Sequence, residues 1–340
     1  MTEIHIYDPT LRDGNHAVQH QLNAAQIKSY CVAAEAAGIP TVEVGHGNGL
    51  GASSLQMGRS LLPDQRMIEV ARAHLKNSKL GVFTIAGWGT VRKNLRPAVD
   101  AGVDVIRVGC HCTEADTTAG LISFAKDQGK AAYGCLMMSH MADGKTLARE
   151  CSKMQSYGAQ GVVLMDSAGT HLPEEVSAKF EILSAEVEIP VGFHAHNNLG
   201  LAIANSIAAV RAGALILDGT ARGFGAGAGN AQLEVIVGVL QKLGYETHID
   251  LYKVLDLSDL AEKRIMKQVP YIRPTSLVSG MAGVVSTMSK PVDRISVQYG
   301  VDPRDVFFDL GKRSVVGGQE DIIIEVAVTL AEKRRQQGNS

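Results

Sequence analysis

Within the run Tyr7-Asp8-Pro9-Thr10-Leu11-Arg12-Asp13-Gly14-Asn15-His16, a guanidinium, a carboxylate and an imidazole fall within five residues. Arg12 can hold developing negative charge, Asp13 can ligate a metal, and His16 can move a proton. A second run, Val191-Gly192-Phe193-His194-Ala195-His196-Asn197-Asn198, places His194 and His196 two apart after an apolar stretch. On a strand, positions i and i+2 share a face, so both imidazoles can meet one ion. A lone Arg-Asp pair in a loop is usually a surface ion pair of little worth. The His-x-His strand is a stronger signal, and the two runs together are stronger than either.

The elements around these runs must bring them together. Ile4 to Tyr7 alternates as a strand does, and Pro9 and Gly14 are expected to stop it and open a loop. Asn23 to Ala37 reads as a helix with an Asn cap and Gly38 as its stop. The alternation of short apolar strand and helix then continues, through strands near 41–44, 79–84, 103–108, 131–138, 161–165, 191–194 and 214–217. Short apolar strands joined by helices pair in parallel, because parallel pairing needs a crossover. Eight such units predict a (β/α)8 TIM barrel; an open doubly wound sheet is the competing architecture. The barrel is assigned to residues 1–247 and a C-terminal helical domain to 248–340, with helices expected near 251–267, 275–290, 302–310 and 318–336. That domain is a candidate surface for partner contact.

In a barrel of this kind, chemistry sits at the carboxyl ends of the strands. Asp13 follows strand 1, Glu43 and His46 end strand 2, and Arg107 and His111 bracket the end of strand 4. Asp166 and Ser167 end strand 6, and His194 and His196 end strand 7. Asp218 and the Gly-rich loop reaching Asn230 follow strand 8. Strands 1, 7 and 8 become neighbours on closure, so Asp13, His194, His196 and Asn230 can share one ion. Glu43 is expected to orient Arg12 or a ligand rather than bind the ion itself. His46 reads equally as a substrate contact or a loop hydrogen bond. Arg107 is expected to support its strand end, and His5, His20 and His140 to be structural.

Composition narrows the class. The 340 residues are 45% hydrophobic and 20% charged, with a formal net charge of -2. That balance argues against nucleic acid as the main partner; the run Lys333-Arg334-Arg335 reads as a solvated helix end. Five scattered cysteines do not form a disulfide framework. Cys110-x-Cys112 reads as buried thiols rather than half of a zinc site. With no apolar leader and no window of about 18 apolar residues, a cytoplasmic enzyme with no membrane contact is expected.

These motifs resemble a family. Thr10-Leu11-Arg12-Asp13-Gly14, His194-Ala195-His196 and the Gly-rich loop ending in Asn230 are similar to the metal-dependent lyase and synthase superfamily. It includes 3-hydroxy-3-methylglutaryl-CoA lyase, isopropylmalate synthase and 4-hydroxy-2-oxovalerate aldolase. Longer stretches resemble the aldolase branch: His111-Cys112-Thr113-Glu114-Ala115-Asp116, Leu136-Met137-Met138-Ser139-His140-Met141, Gly225-Ala226-Gly227-Ala228-Gly229-Asn230-Ala231 and Val316-Gly317-Gly318-Gln319-Glu320-Asp321. The resemblance implies a class II aldolase that cleaves a 4-hydroxy-2-oxo acid to pyruvate and an aldehyde. It implies Asp13, His194 and His196 as ligands of a divalent metal, with Mn2+ expected and Mg2+ or Co2+ as alternatives. Asn230 and Glu43 would stand near or on that ion. Arg12 would stabilise the enolate, His16 would act as base, and Ser167 and His194 would join Arg12 around the substrate. An oligomer and an acylating aldehyde dehydrogenase partner are also implied.

The residues agree with that chemistry. Breaking a carbon–carbon bond beside a 2-oxo acid leaves an enolate whose charge needs a sink, and each preorganised donor is worth about 3 kcal/mol. An imidazole, with an ordinary pKa of ~6.5, can contribute ~10²–10⁴-fold as a base. No strand-end lysine stands out as a Schiff-base former. One departure stands out. Relatives carry tyrosines in the tail stretch where this chain has Met281 and Val285, so an aldehyde other than acetaldehyde is expected to be preferred. Two other readings compete: an acyl-CoA lyase or Claisen-type synthase on the same barrel, and a metal-bound scaffold for the dehydrogenase. The lyase's loop cysteine is missing here, and about 90 residues is short for a synthase's regulatory domain.

Overall fold

Eight short strands, each followed by helix, must find a way to bury both faces, and a closed barrel wrapped in helices does so. The computed structural model describes residues 2–338 and has this form. Its strands are β1 (His5–Leu11), β2 (Thr41–Val44), β3 (Lys79–Ile85), β4 (Val105–His111), β5 (Ala131–Met137), β6 (Gly161–Asp166), β7 (Val191–Ala195) and β8 (Ile216–Asp218). All pair in parallel in sequence order, and β1 closes on β8 with His5 beside Ile216. The barrel interior is packed by Tyr7, Phe83, Val105, Cys135, Val163, Met165 and Ile216.

The cap signals hold. Asn23 caps helix Ala24–Ala37 in a capping box with Gln26, and Gly38 ends it at φ +77°. Asp143 caps helix Gly144–Tyr157 by accepting from Thr146 N at 2.7 Å, and Gly158 ends it. The first strand, however, is not stopped by Pro9. β1 runs on to Leu11, and its register on β2 shifts between Asp8 and Leu11. Pro9 brings no N–H to the ladder, and the irregularity takes up that loss. The extension carries Arg12 and Asp13 up to the barrel rim.

Past the boundary expected at 247/248, the chain still packs against the barrel. Helix Leu251–Arg264 packs on helix Ala24–Ala37, and Val254, Leu257, Ala261 and Ile265 belong to the main apolar core. A second core, including Val284, Met288, Phe307, Leu310 and Ile323, begins at Val278. The two apolar cores thus part between Ile265 and Val278. The tail helices are Pro274–Met281, Ser289–Tyr299, Pro303–Lys312 and Asp321–Gly338. The single helix expected over 275–290 is two, separated at Gly283, whose φ of +67° leaves the helical region. The break lets the tail reach the barrel: Ser286 N donates to Ser167 O at 3.0 Å, and Asn198 Nδ2 donates to Ser286 Oγ at 2.9 Å. Among the described residues, no helix is long and apolar enough to cross a membrane.

Candidate active site

The carboxyl ends of β1, β7 and β8 meet, as closure requires. Asp13, His194 and His196 are all buried, and one ligand atom from each lies within 4.8 Å of the others. His194 Nδ1 is 2.8 Å from Asp218 Oδ2. A carboxylate only accepts, so Nδ1 donates and Nε2 keeps its lone pair. Among the described residues that Nε2 has no partner, nor has Nδ1 of His196 or Oδ1 of Asn230. Buried polar atoms are rarely left without partners. Two orphaned imidazole nitrogens beside a carboxylate fit a divalent cation.

The charges are consistent with this. Burial opposes ionisation of Asp13, yet the Arg12 guanidinium at 2.9 Å holds its carboxyl well below the usual range. Burial pushes His196 down to about 4, leaving the ring neutral and able to ligate. Asn230 Nδ2 donates to Asp13 Oδ2 at 2.5 Å, so the amide steadies the carboxylate.

Arg12 is fixed on several sides. Its Nε donates to Glu43 at 2.7 Å and its Nη1 to Asp13 and to Gly47 O, while the guanidinium lies 4.7 Å over the Phe83 ring. Its Nη2 has no partner among the described residues. One donor of a rigidly held cation is thus left free. Glu43 meets two guanidiniums, with Arg107 Nη1 at 3.5 Å, and is not part of the three-residue cluster.

His16 lies three residues beyond Asp13, in the short helical turn Asp13–His16. It is half-buried and lines a cleft of about 780 Å³ between barrel and tail. Burial is the main cause that lowers its pKa to about 4; Asp13 acts the other way. The ring is therefore neutral near pH 7, with a lone pair free to accept a proton. It packs over Gly47, where a Cβ would stand 2.6 Å from ring atoms. Gly225 is constrained in the same manner: a Cβ would meet Asn230 Nδ2 at 2.1 Å and Asp13 Oδ2 at 2.5 Å.

Other sequence candidates take supporting places. Ser167 follows β6, but its hydroxyl already accepts from Met138 N at 3.1 Å. His46 makes loop hydrogen bonds, accepting from Asn48 N and pairing with Gly58 O at 3.0 Å. Its ring stacks on His20 at 3.6 Å. Arg107 is wholly buried, 2.8 Å from Asp218. Met281 is 60% exposed, while Val285 packs on the tail core. The cysteines are all buried and free.

Sequence reasoning passed over two connections. Asp218 joins Arg107 to His194; its position at the end of β8 was the available signal. Asn198 ties together the β6 loop, the Gly-rich loop and the tail, through Ala168 O, Ala228 N and Ser286 Oγ. Its place two residues past His196 was visible, but its partners are up to 88 residues away.

Residues 3–261 match the HMGL-like family, and residues 270–332 match the DmpG-like communication domain. The chain is 60% identical over 321 residues to the 4-hydroxy-2-oxovalerate aldolase of Spirochaeta aurantia, covering 94% of each chain. It is 54% identical over 331 residues to the enzyme of that name from Pectobacterium atrosepticum, covering 97% of this chain and 96% of the relative. Among solved structures, the carboxyl transferase domain of Rhizobium etli pyruvate carboxylase superposes with a TM-score of 0.81 at 15% identity. That match covers 97% of this chain and 60% of the other, and it speaks to the fold alone.

Proposed function

We infer the function from one premise: this chain belongs to the HMGL-like family and, within it, to the 4-hydroxy-2-oxovalerate aldolases. It is a carbon–carbon lyase, a class II aldolase that cleaves a 4-hydroxy-2-oxo acid to pyruvate and an aldehyde. The observation that carries the reading to a site is the buried cluster of Asp13, His194 and His196, with its two orphaned ring nitrogens.

In our reading these three residues hold the divalent cation, with Asn230 bracing Asp13 and Asp218 fixing the tautomer of His194. Mn2+ is the proposed occupant, since the donors are one oxygen and two nitrogens of borderline hardness. Bound there, the cation supplies Lewis acidity to a 2-oxo acid. The chain's own groups supply the rest. His16, neutral near pH 7, takes the proton of the 4-hydroxyl group. The C3–C4 bond breaks, the C4 hydroxyl carbon leaves as the aldehyde, and the electron pair stays with the pyruvate half as an enolate. The free Nη2 of Arg12 faces that developing charge with no reorganisation, because Glu43, Asp13 and Phe83 already fix the guanidinium. Protonation at C3 then gives pyruvate. Ser167 and His194 are proposed to border the carboxylate end.

The residues matching a communication domain make the tail the proposed contact for an acylating aldehyde dehydrogenase that takes the aldehyde. Ser286 bonded to both Ser167 and Asn198 supports a tail that senses the site.

The test is pyruvate release from racemic 4-hydroxy-2-oxovalerate, read through lactate dehydrogenase. EDTA-treated protein should be inactive and Mn2+ should restore it. No turnover with Mn2+ demonstrably bound would overturn the reading.

A further inference from the structure

The cleft carries positive charge that the chemistry above does not use. Lys267, Arg273, Lys290 and Arg294 all line it. The charge begins beside the base, since Lys290 Nζ donates to the backbone carbonyl of His16 at 3.0 Å. Among the described residues, only Arg273 of the four has a carboxylate within ion-pair distance, Asp293 at 3.7 Å. One acid, Glu320, lines the cleft with them. Partial burial lowers the pKa of Lys290, and Arg273 and Lys267 lower it further. Arg273 and Lys267 thus stand close enough to Lys290 to disfavour its charge, and Asp293 and Glu320 are the carboxylates beside them among the described residues.

A solvated face would account for a row of lysines on a convex surface. It does not account for four cations lining the same cleft as the proposed base. The topology of the reaction gives that cleft a task. The 2-oxo acid end is taken up at the metal cluster. His16 must meet the hydroxyl on C4, and His16 lines the cleft. Whatever C4 carries besides that hydroxyl therefore extends into the cleft. A methyl group, as in 4-hydroxy-2-oxovalerate, leaves most of about 780 Å³ to water, a volume of the size that holds much larger ligands.

We propose that the outer cleft, formed by Lys267, Arg273, Lys290 and Arg294, binds an anionic group at the far end of the aldehyde half. The preferred substrates are then 4-hydroxy-2-oxo acids with a second, distal carboxylate. This rests on the aldolase reading and adds to it the class of aldehyde. A carboxylate there meets charge-assisted donors on a site already electropositive.

The experiment compares condensation of pyruvate with succinic semialdehyde and with its methyl ester, which has the same chain without the charge. Cleavage of 4-hydroxy-2-oxovalerate by the same Mn2+-loaded protein is the reference. The acid should exceed the ester in kcat/KM by about tenfold at low salt. The ratio should shrink toward one in about 0.5 M KCl and in the double variant Lys267→Gln/Arg294→Gln, which changes two exposed side chains. An ester that matches the acid while 4-hydroxy-2-oxovalerate is cleaved would overturn the anion site alone. So would a ratio unmoved by the double variant and by Lys290→Gln. Failure to cleave the reference substrate would overturn the aldolase reading and this inference with it.

Discussion

Arg12, at the barrel mouth, and Arg107, below it on β4, are 3% and 0% exposed, and each is tied to two carboxylates. Lys267, Lys290 and Arg294, across the cleft, are exposed and have no carboxylate partner among the described residues. The same formal charge does different work in the two places. A buried cation is tolerable only when paired and hydrogen-bonded, and breaking such a pair costs about 3–5 kcal/mol. Its position is thereby fixed, which suits a group that must be in place before charge develops. An exposed cation stays hydrated, is screened by salt and moves; exposed pairs are worth about 0.2–1 kcal/mol. Such a group suits capture and selection of a ligand rather than its activation. The barrel mouth positions, and the cleft selects.

Arg12→Lys is the strongest test of that contrast. The charge remains, but the fork that binds Glu43 and Asp13 at once and leaves Nη2 free is lost. Loss of one preorganised donor should lower kcat by about 10²–10³-fold, with a smaller change in KM. Turnover at the wild-type rate would break the contrast, since a mobile cation would then serve as well as a fixed one. Asp218→Asn should act more mildly. The amide no longer obliges His194 Nδ1 to donate, and Arg107 loses its nearer carboxylate. Mn2+ affinity of the metal-free protein, measured by titration calorimetry, should fall about 10–100-fold. An unchanged Kd would show that the tautomer of His194 does not depend on Asp218.

How much of this was legible in the sequence follows from the range of the forces involved. The barrel was readable because its signals are local: short apolar strands, an Asn23 cap and a Gly38 stop. The cluster of Asp13, His194 and His196 was readable because strand order decides which strand ends become neighbours. The continuation of β1 past Pro9 was not, because a register shift against β2 absorbs the missing N–H, and that is a property of the pair. Nor could the sequence assign helix Leu251–Arg264 to the barrel, since its apolar stripe says only that it is buried, not against what. Asp218, Asn198 and the cleft cations act through partners distant in the chain. The exposed Met281 shows the same limit: its position in the chain was readable, its direction was not.

The smallest effect is the one most easily confused with an ordinary histidine. Burial beside Arg12, His46 and Lys290 lowers His16 to about 4, with Asp13 as the opposing influence. The sign follows directly. A base whose pKa is depressed stays in its active, neutral form to lower pH. An unperturbed imidazole of pKa ~6.5 would be about nine-tenths protonated at pH 5.5, a tenfold loss of base. At a pKa of about 4 His16 remains almost wholly neutral there. In wild type saturated with Mn2+, kcat should therefore be nearly flat from pH 7.5 to 5.5, with its acid limb near 4 to 5. Gly47→Ala sharpens the point, because the added Cβ would meet the His16 ring and push it toward the open cleft. Rehydration there should raise its pKa and move the acid limb upward, toward 6, while Asp13, His194 and His196 stay as they were. A wild-type limb already near 6.5 would mean that His16 is solvated in the working enzyme. The base would then belong with the exposed charges of the cleft rather than with the fixed ones of the barrel.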